Sequence, residues 1–148
     1  MKSFLEELKT EEETTDLRIP AGAVIYHKIP AEIVFSSKQE LVATPTAFSS
    51  FGAYGLELLL PVHFYYLPQK KLTKKEIFQH GYYIWEKEHD SRYFVALALF
   101  YWKYRAELKK INPAFGQLIE RIHLGKKELD YPSQEEIRAR AEVYDLRF

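Results

Sequence analysis

The sequence contains no cysteine among its 148 residues. This absence excludes disulfide bonds, thiolate catalysis, iron–sulfur clusters and zinc sites with cysteine ligands. Two common site motifs, Gly-x-Gly-x-x-Gly and Gly-x-Ser-x-Gly, are also missing, and the Gly-x-x-Gly segment at residues 52–55 has no lysine for a P-loop. The sequence therefore favours a protein that is not an enzyme and indicates no cofactor.

Long apolar runs are missing as well. No segment approaches the ~18 consecutive apolar residues of a membrane-spanning helix. The first sixteen residues are acidic and polar, unlike the basic and apolar start of a signal peptide. We predict a cytoplasmic protein that does not contact a membrane.

Heat-labile residues are scarce. Asn112 is the only asparagine and Met1 the only methionine, while 17 glutamates stand against 4 aspartates and 14 lysines against 7 arginines. Enrichment in lysine and glutamate with loss of labile residues is the trend of hyperthermophile proteins. The composition therefore predicts a heat-adapted protein.

The distribution of apolar residues predicts an α+β fold, with a small N-terminal antiparallel β lobe followed by a C-terminal bundle of three to four helices. Residues 1–17 form an acidic segment, either a short helix or flexible. Residues 18–68 carry short β-branched and aromatic runs and form the β-rich lobe. Residues 69–148 form the helical lobe. Strands are predicted at residues 23–29, 32–37, 40–44, 55–60 and 62–67.

Helix starts are marked by capping residues. Thr73 and Ser133 each begin a capping box, Asp90 or Ser91 caps a second helix, and Asn112 precedes a proline at the first helical position. Residues 74–111 form either two helices or one helix kinked near His89. The helix that follows Ser91 should be the buried centre of the domain. Its predicted solvent stripe is Arg92, Ala96, Leu99, Lys103, Glu107 and Lys110.

Charge is segregated although the formal net charge is zero. Residues 70–127 hold 13 basic and 6 acidic residues, and both flanking parts are acidic. Such a basic middle faces nucleic acid, the acidic ends of the chain itself, or solvent. For nucleic acid at residues 70–110, the candidate contacts are Lys70, Lys71, Lys74, Lys75, Lys103 and Lys110, with Tyr101 and Trp102 as rings that stack on bases.

An aromatic loop lies at residues 48–55, FSSFGAYG. Its rings, Phe48, Phe51 and Tyr54, either fold back on the core, which we favour, or contact a partner. The same loop over an apolar pocket would suit a small-molecule binding domain.

Two Glu-x-x-His pairs provide the only candidate metal ligands. Glu86 with His89 and Glu120 with His123 each share a helix face, and further carboxylates come from Glu107 and from either Glu57 or Glu142. This resembles the ligand pattern of di-iron and di-manganese bundles, although the helices are short for such a bundle.

The function favoured by the sequence is a non-catalytic interaction protein, an accessory subunit or adaptor of a larger assembly, in its sharper form one that processes nucleic acid. Its partner is another protein or a second copy of the chain. The alternatives are a metal-dependent enzyme built on the Glu-x-x-His pairs and a small-molecule binding domain.

Overall fold

β-Branched and aromatic residues build a four-stranded antiparallel sheet. In the computed structural model, which describes residues 19–148, the strands are β1 (Val24–Ile29), β2 (Glu32–Ser37), β3 (Thr44–Pro45) and β4 (His63–Leu67). Their order in the sheet is β1-β2-β4-β3. The strands predicted at 23–29, 32–37 and 62–67 are confirmed, and the acidic segment 1–17 lies outside the described residues.

Two strand predictions need correction. The run at 40–44 contributes only the short β3, and the run at 55–60 is not part of the sheet. The reason is tertiary, because β4 is already paired on one edge by β2 and on the other by β3. The residues before β4 therefore have no free strand edge beside it and follow a separate path over the helices.

β1 contains a bulge at the point where the sheet contacts the first helix. Ile25 pairs with Phe35 and His27 with Val34, so Tyr26 is an extra residue in the strand. His27 stacks on Tyr83 of the helix at a centroid distance of 4.2 Å.

The predicted helix starts are confirmed. The described residues form α1 (Lys74–Glu88), α2 (Ser91–Lys103), the single turn α3 (Arg105–Leu108), α4 (Pro113–His123) and α5 (Gln134–Val143). Thr73, Asp90, Asn112 and Ser133 cap α1, α2, α4 and α5 with their side chains. His89 has φ 54°, a left-handed conformation that ends α1, so residues 74–111 are not one kinked helix.

The helix α2 is buried on more sides than the sequence predicts. Ala96 and Leu99, which were expected on its solvent stripe, are both buried. The physical reason is that α1 and α5 both pack against α2. Of the expected stripe residues that lie within α2, only Arg92 and Lys103, near the two ends of the helix, are exposed to solvent.

Most of the core lies between the sheet and the helices. Side chains of β2 and β4 meet those of the helices in one continuous apolar cluster, to which both predicted lobes contribute. A smaller cluster on the opposite face of the sheet contains Ile33, Phe35 and Tyr65 and packs against Ile19 and Leu41. Between residues 19 and 148, no helix combines the length and apolar character that crossing a bilayer would require.

Candidate functional site

An apolar groove of about 800 Å³ runs between α2, α5 and residues 56–60, which we call the leucine segment. Leu59 of the leucine segment and Val143 of α5 both line the groove. Their side chains are nevertheless 97% and 64% exposed. Together with the half-buried Leu58, Leu60 and Val95 they make the groove largely apolar, and a concave apolar surface is typical of a binding site.

The path of the leucine segment follows from the residues at its ends. Gly55, at φ 88°, ends the 3₁₀ helix Phe51–Tyr54 in a left-handed conformation that glycine adopts without strain. Leu56 is then fully buried, and its backbone N–H donates to the carbonyl of Phe51 over 3.0 Å. Pro61 follows the segment. The segment is thus anchored at its start and leaves the 3₁₀ helix along the surface.

The other wall is held in place by the buried face of α5. Ile137 and Ala141 are fully buried, while Val143 lies off this apolar stripe. Tyr144, which caps the C-terminus of α5, donates its hydroxyl to the carbonyl of Glu57 over 2.9 Å. This hydrogen bond joins α5 to the leucine segment and fixes one end of the groove.

Two of the four charged residues that line the groove are occupied by contacts within the chain. Arg92 donates to both carboxylate oxygens of Asp90, at 3.1 and 2.7 Å, and these bonds hold the pKa of Asp90 below its usual value. The Glu136 carboxylate accepts from the Ser133 backbone N–H at 2.7 Å. Glu57 and Arg140 form no ion pair with another described residue, and they remain the charges that a ligand would meet.

The predicted aromatic loop is placed in the core. Phe48 and Phe51 are buried and stack on Tyr93 and Phe100, at centroid distances of 4.6 and 4.3 Å. These two rings therefore fold back and do not reach a partner. Tyr54 is half-buried.

Three of the six candidate nucleic-acid lysines contact the chain itself. Lys70 pairs with Glu76 at 3.0 Å and Lys74 with Glu107 at 2.9 Å. The Lys103 ammonium donates to the carbonyl of Tyr54 at 2.5 Å. The remaining three are exposed and form no ion pair with another described residue: Lys71, Lys75 and Lys110.

The structure also brings together candidates from two predicted sites. The ammonium groups of Lys74 and Lys103 lie 4.4 and 5.5 Å from the ring centroid of Tyr104. Tyr54 of the aromatic loop meets the same ring edge-on at 5.8 Å. This cluster links the aromatic loop to the beginning of α1 and the end of α2.

The two candidate stacking rings are unavailable to a base. Tyr101 is only 2% exposed, because it packs inside the core against α4. The Trp102 ring has the Arg105 guanidinium 4.0 Å and the His123 ring 4.2 Å from its centroid. Groups this close on the ring leave little of it for a third planar group.

The candidate metal ligands do not converge. His123 packs against Trp102, His89 lies 5.1 Å from the Trp85 ring, and the Glu107 carboxylate is engaged by Lys74. Glu86 and Glu120 lie on different helices, α1 and α4. Over residues 19–148, no three side chains of histidine, aspartate or glutamate are grouped so that they could hold a metal ion.

His80 is the most strongly perturbed histidine of the described chain. It is 7% exposed, its Nδ1 lies 2.6 Å from the Thr46 hydroxyl, and its ring stacks on Tyr66 at 5.2 Å. Burial lowers the pKa of His80 from 6.5 to about 4. Because Thr46 is completely buried, this pair ties the loop before the two 3₁₀ helices, Ala47–Ser49 and Phe51–Tyr54, to α1 and is not placed to act on a substrate.

Sequence reasoning missed the groove. The sequence predicts a strand at Leu59 and indicates no role for Val143 or Arg140. One signal was present, since Val143 is an apolar residue that does not share the helix face of Ile137 and Ala141. The comparisons with known proteins yield no relative: no protein-family model, no curated protein and no solved structure matches this chain.

Proposed function

We propose that this chain is a non-catalytic interaction protein, an accessory subunit or adaptor, which binds a protein partner in the groove. The observation that carries the proposal is the exposure of Leu59 and Val143 on two walls of one concave apolar surface. Complete burial of one such side chain contributes about 1.5–3 kcal/mol. Two of them are sufficient to act as the anchors of an interface, where a few buried side chains supply most of the affinity.

The enzyme alternatives receive less support from the same geometry. The groove is lined by leucine, valine, arginine, glutamate and hydroxyl groups, and none of its lining residues is a histidine. The two Glu-x-x-His pairs lie apart, one at α1 and one on α4. Among the described residues, neither pair has a third side chain beside it that could complete a metal site. A partner that covers apolar surface fits the groove better than a substrate that needs acid–base chemistry.

An assembly that processes nucleic acid remains the sharper form of the proposal. It is supported only by the exposed lysines at 71, 75 and 110. These are too few to suggest a binding site by themselves, so we assign recognition of the partner to the groove.

The test compares proteins that capture partners from the native cell. The tagged wild type, a Leu59→Glu variant and a Leu129→Glu control are each incubated with extract, and co-purifying chains are quantified. Leu129 is 87% exposed and does not line the groove, so both variants place the same charge on an exposed leucine. We expect a protein that the wild type and the control retain and that Leu59→Glu loses. Equal retention by all three would contradict the proposal.

A further inference from the structure

We infer that the partner enters the groove as an extended segment that pairs its backbone with the leucine segment, places apolar side chains at alternate positions and directs an acidic side chain at Arg140. This inference rests on the proposed function and specifies the chemistry of the partner. It is carried by the backbone of the leucine segment, the burial along it and the charges that the groove leaves available.

The leucine segment has the burial pattern of extended chain, and no strand of the described residues pairs with it. Burial alternates along it, since Leu56 is buried, Leu58 and Leu60 are half-buried, and Glu57 and Leu59 are exposed. A period of two is typical of extended chain. The backbone groups of residues 58–60 form no hydrogen bond with another described residue.

The position of Tyr144 shows which edge of the leucine segment faces the groove. In extended chain, the N–H and C=O of one residue point to the same edge, and those of the next residue to the opposite edge. The carbonyl of Glu57 faces α5, where it accepts from Tyr144. The N–H and C=O of Leu59 therefore face α5 as well, across the groove, and can exchange two hydrogen bonds with one residue of a second strand.

This edge distinguishes an extended partner from a helical one. A helix satisfies its backbone groups internally and has none to offer to Leu59. An extended peptide supplies a donor and an acceptor at the required spacing, and its alternate side chains fill the pockets beside the edge. We therefore expect apolar side chains at every second position of the partner.

Charge complementarity defines one further position. Arg92 is neutralised by Asp90, whereas Arg140 on α5 has no ion pair with a described residue. An acidic side chain of the partner that points away from the apolar floor would meet this guanidinium. Glu57 on the other wall disfavours a second acidic side chain at that side.

The experiment uses random twelve-residue peptides displayed on phage and the full chain as the target. Peptides that bind the wild type and the Leu129→Glu control, but not Leu59→Glu, are sequenced, and the strongest is synthesised. Each backbone nitrogen of that peptide is then methylated in turn. A methyl group removes the donor and blocks close approach on one edge only, so we expect affinity to fall about tenfold at alternate positions and little in between.

Exchange of the charges on Arg140 and on the acidic residue of the peptide tests the predicted ion pair between them. Arg140→Glu should weaken binding about threefold, as for an exposed ion pair, and replacement of the peptide's acidic residue by lysine should restore it. Arg147→Glu, an exposed arginine just beyond the same helix and outside the groove lining, is the matched control. Methylation that acts equally at consecutive positions, a helical bound peptide, or a library without any Leu59-dependent binder would overturn the inference. The capture experiment with folded partners decides the proposed function separately from these results.

Discussion

Acidification should destabilise this fold through His80. The ring is buried against Tyr66, and its Nδ1 is hydrogen-bonded to the buried Thr46 hydroxyl. Burial is the largest cause of its low pKa; the carboxylates of Glu76 and Glu32 oppose it, whereas the proximity of His27 and Lys70 acts in the same direction as burial. The unfolded chain, which hydrates the imidazolium, binds the proton more tightly.

The size of the effect follows from the two pKa values. With 6.5 in the unfolded chain and about 4 in the folded one, stability is retained above pH 6.5 and is lost as the pH falls towards 4. The loss is about 1 kcal/mol at pH 5.5 and about 3 kcal/mol at pH 4. Below about pH 3 this contribution no longer changes, because both states are then protonated.

The assay is urea unfolding of the wild type and of His80→Gln at pH 7, 5.5 and 4. Glutamine retains a hydrogen-bonding group for Thr46 but does not titrate in this range. The carboxylates titrate in both proteins, so their contribution to the pH dependence of the unfolding free energy cancels in the comparison. We expect the free energy of unfolding of the wild type to fall by about 3 kcal/mol more than that of the variant between pH 7 and pH 4. The same decrease in both proteins would refute the reasoning.

Two further predictions concern the packing of α4 and the exposed lysines. An alanine Cβ at Gly116 would stand 2.6 Å from the Tyr101 hydroxyl oxygen, so Gly116→Ala should lower the urea-unfolding free energy by about 1–2 kcal/mol through overpacking, despite alanine's helix propensity. Removal of that oxygen by Tyr101→Phe should recover part of the loss, since the ring carbon Cζ would still lie 3.0 Å from the new Cβ, and a stabilised Gly116→Ala would contradict the packing. If the basic residues contact phosphates, joint replacement of Lys71, Lys75 and Lys110 by glutamine should reduce the slope of log affinity against log salt by about 3. No binding of DNA or RNA by the wild type at 50 mM salt would exclude that contact.

Local signals in the sequence identify most elements of this fold. The strands β1, β2 and β4 consist of β-branched and aromatic residues between turns, and Thr73 and Ser133 begin their helices with capping boxes. These signals involve residues that are close in the chain. They are read correctly because the physical cause is local as well: a side chain caps a helix start three residues away, and β-branched and aromatic residues favour extended backbone.

The errors arise where distant segments decide the outcome. The run at 55–60 has the composition of a strand, but β2 and β3 already occupy both edges of β4. Ala96 and Leu99 were assigned to solvent from helical spacing alone, whereas helices remote in sequence cover them. Tyr101 is a stacking candidate in the sequence only because it lies beside lysine and arginine, whereas in the fold it packs against α4 in the core.

The groove is unpredictable from sequence by the same argument. Leu59 resembles every other leucine of its run, and only the position of α5 turns it into the wall of a concave surface. The charges at Arg92 and Arg140 are alike in the sequence. They differ in the fold because Asp90 neutralises the first, and the second forms no ion pair with a described residue.

Amide hydrogen exchange of the chain, with and without a saturating captured partner, tests the central claim most directly. The account predicts that binding slows exchange in the leucine segment and in the C-terminal half of α5, with the Leu59 amide among the most protected. Exchange at Lys71 and Lys75 should be unchanged by a protein partner. Protection confined to the outer face of the sheet or to the lysines, with no change in the leucine segment, would contradict the account.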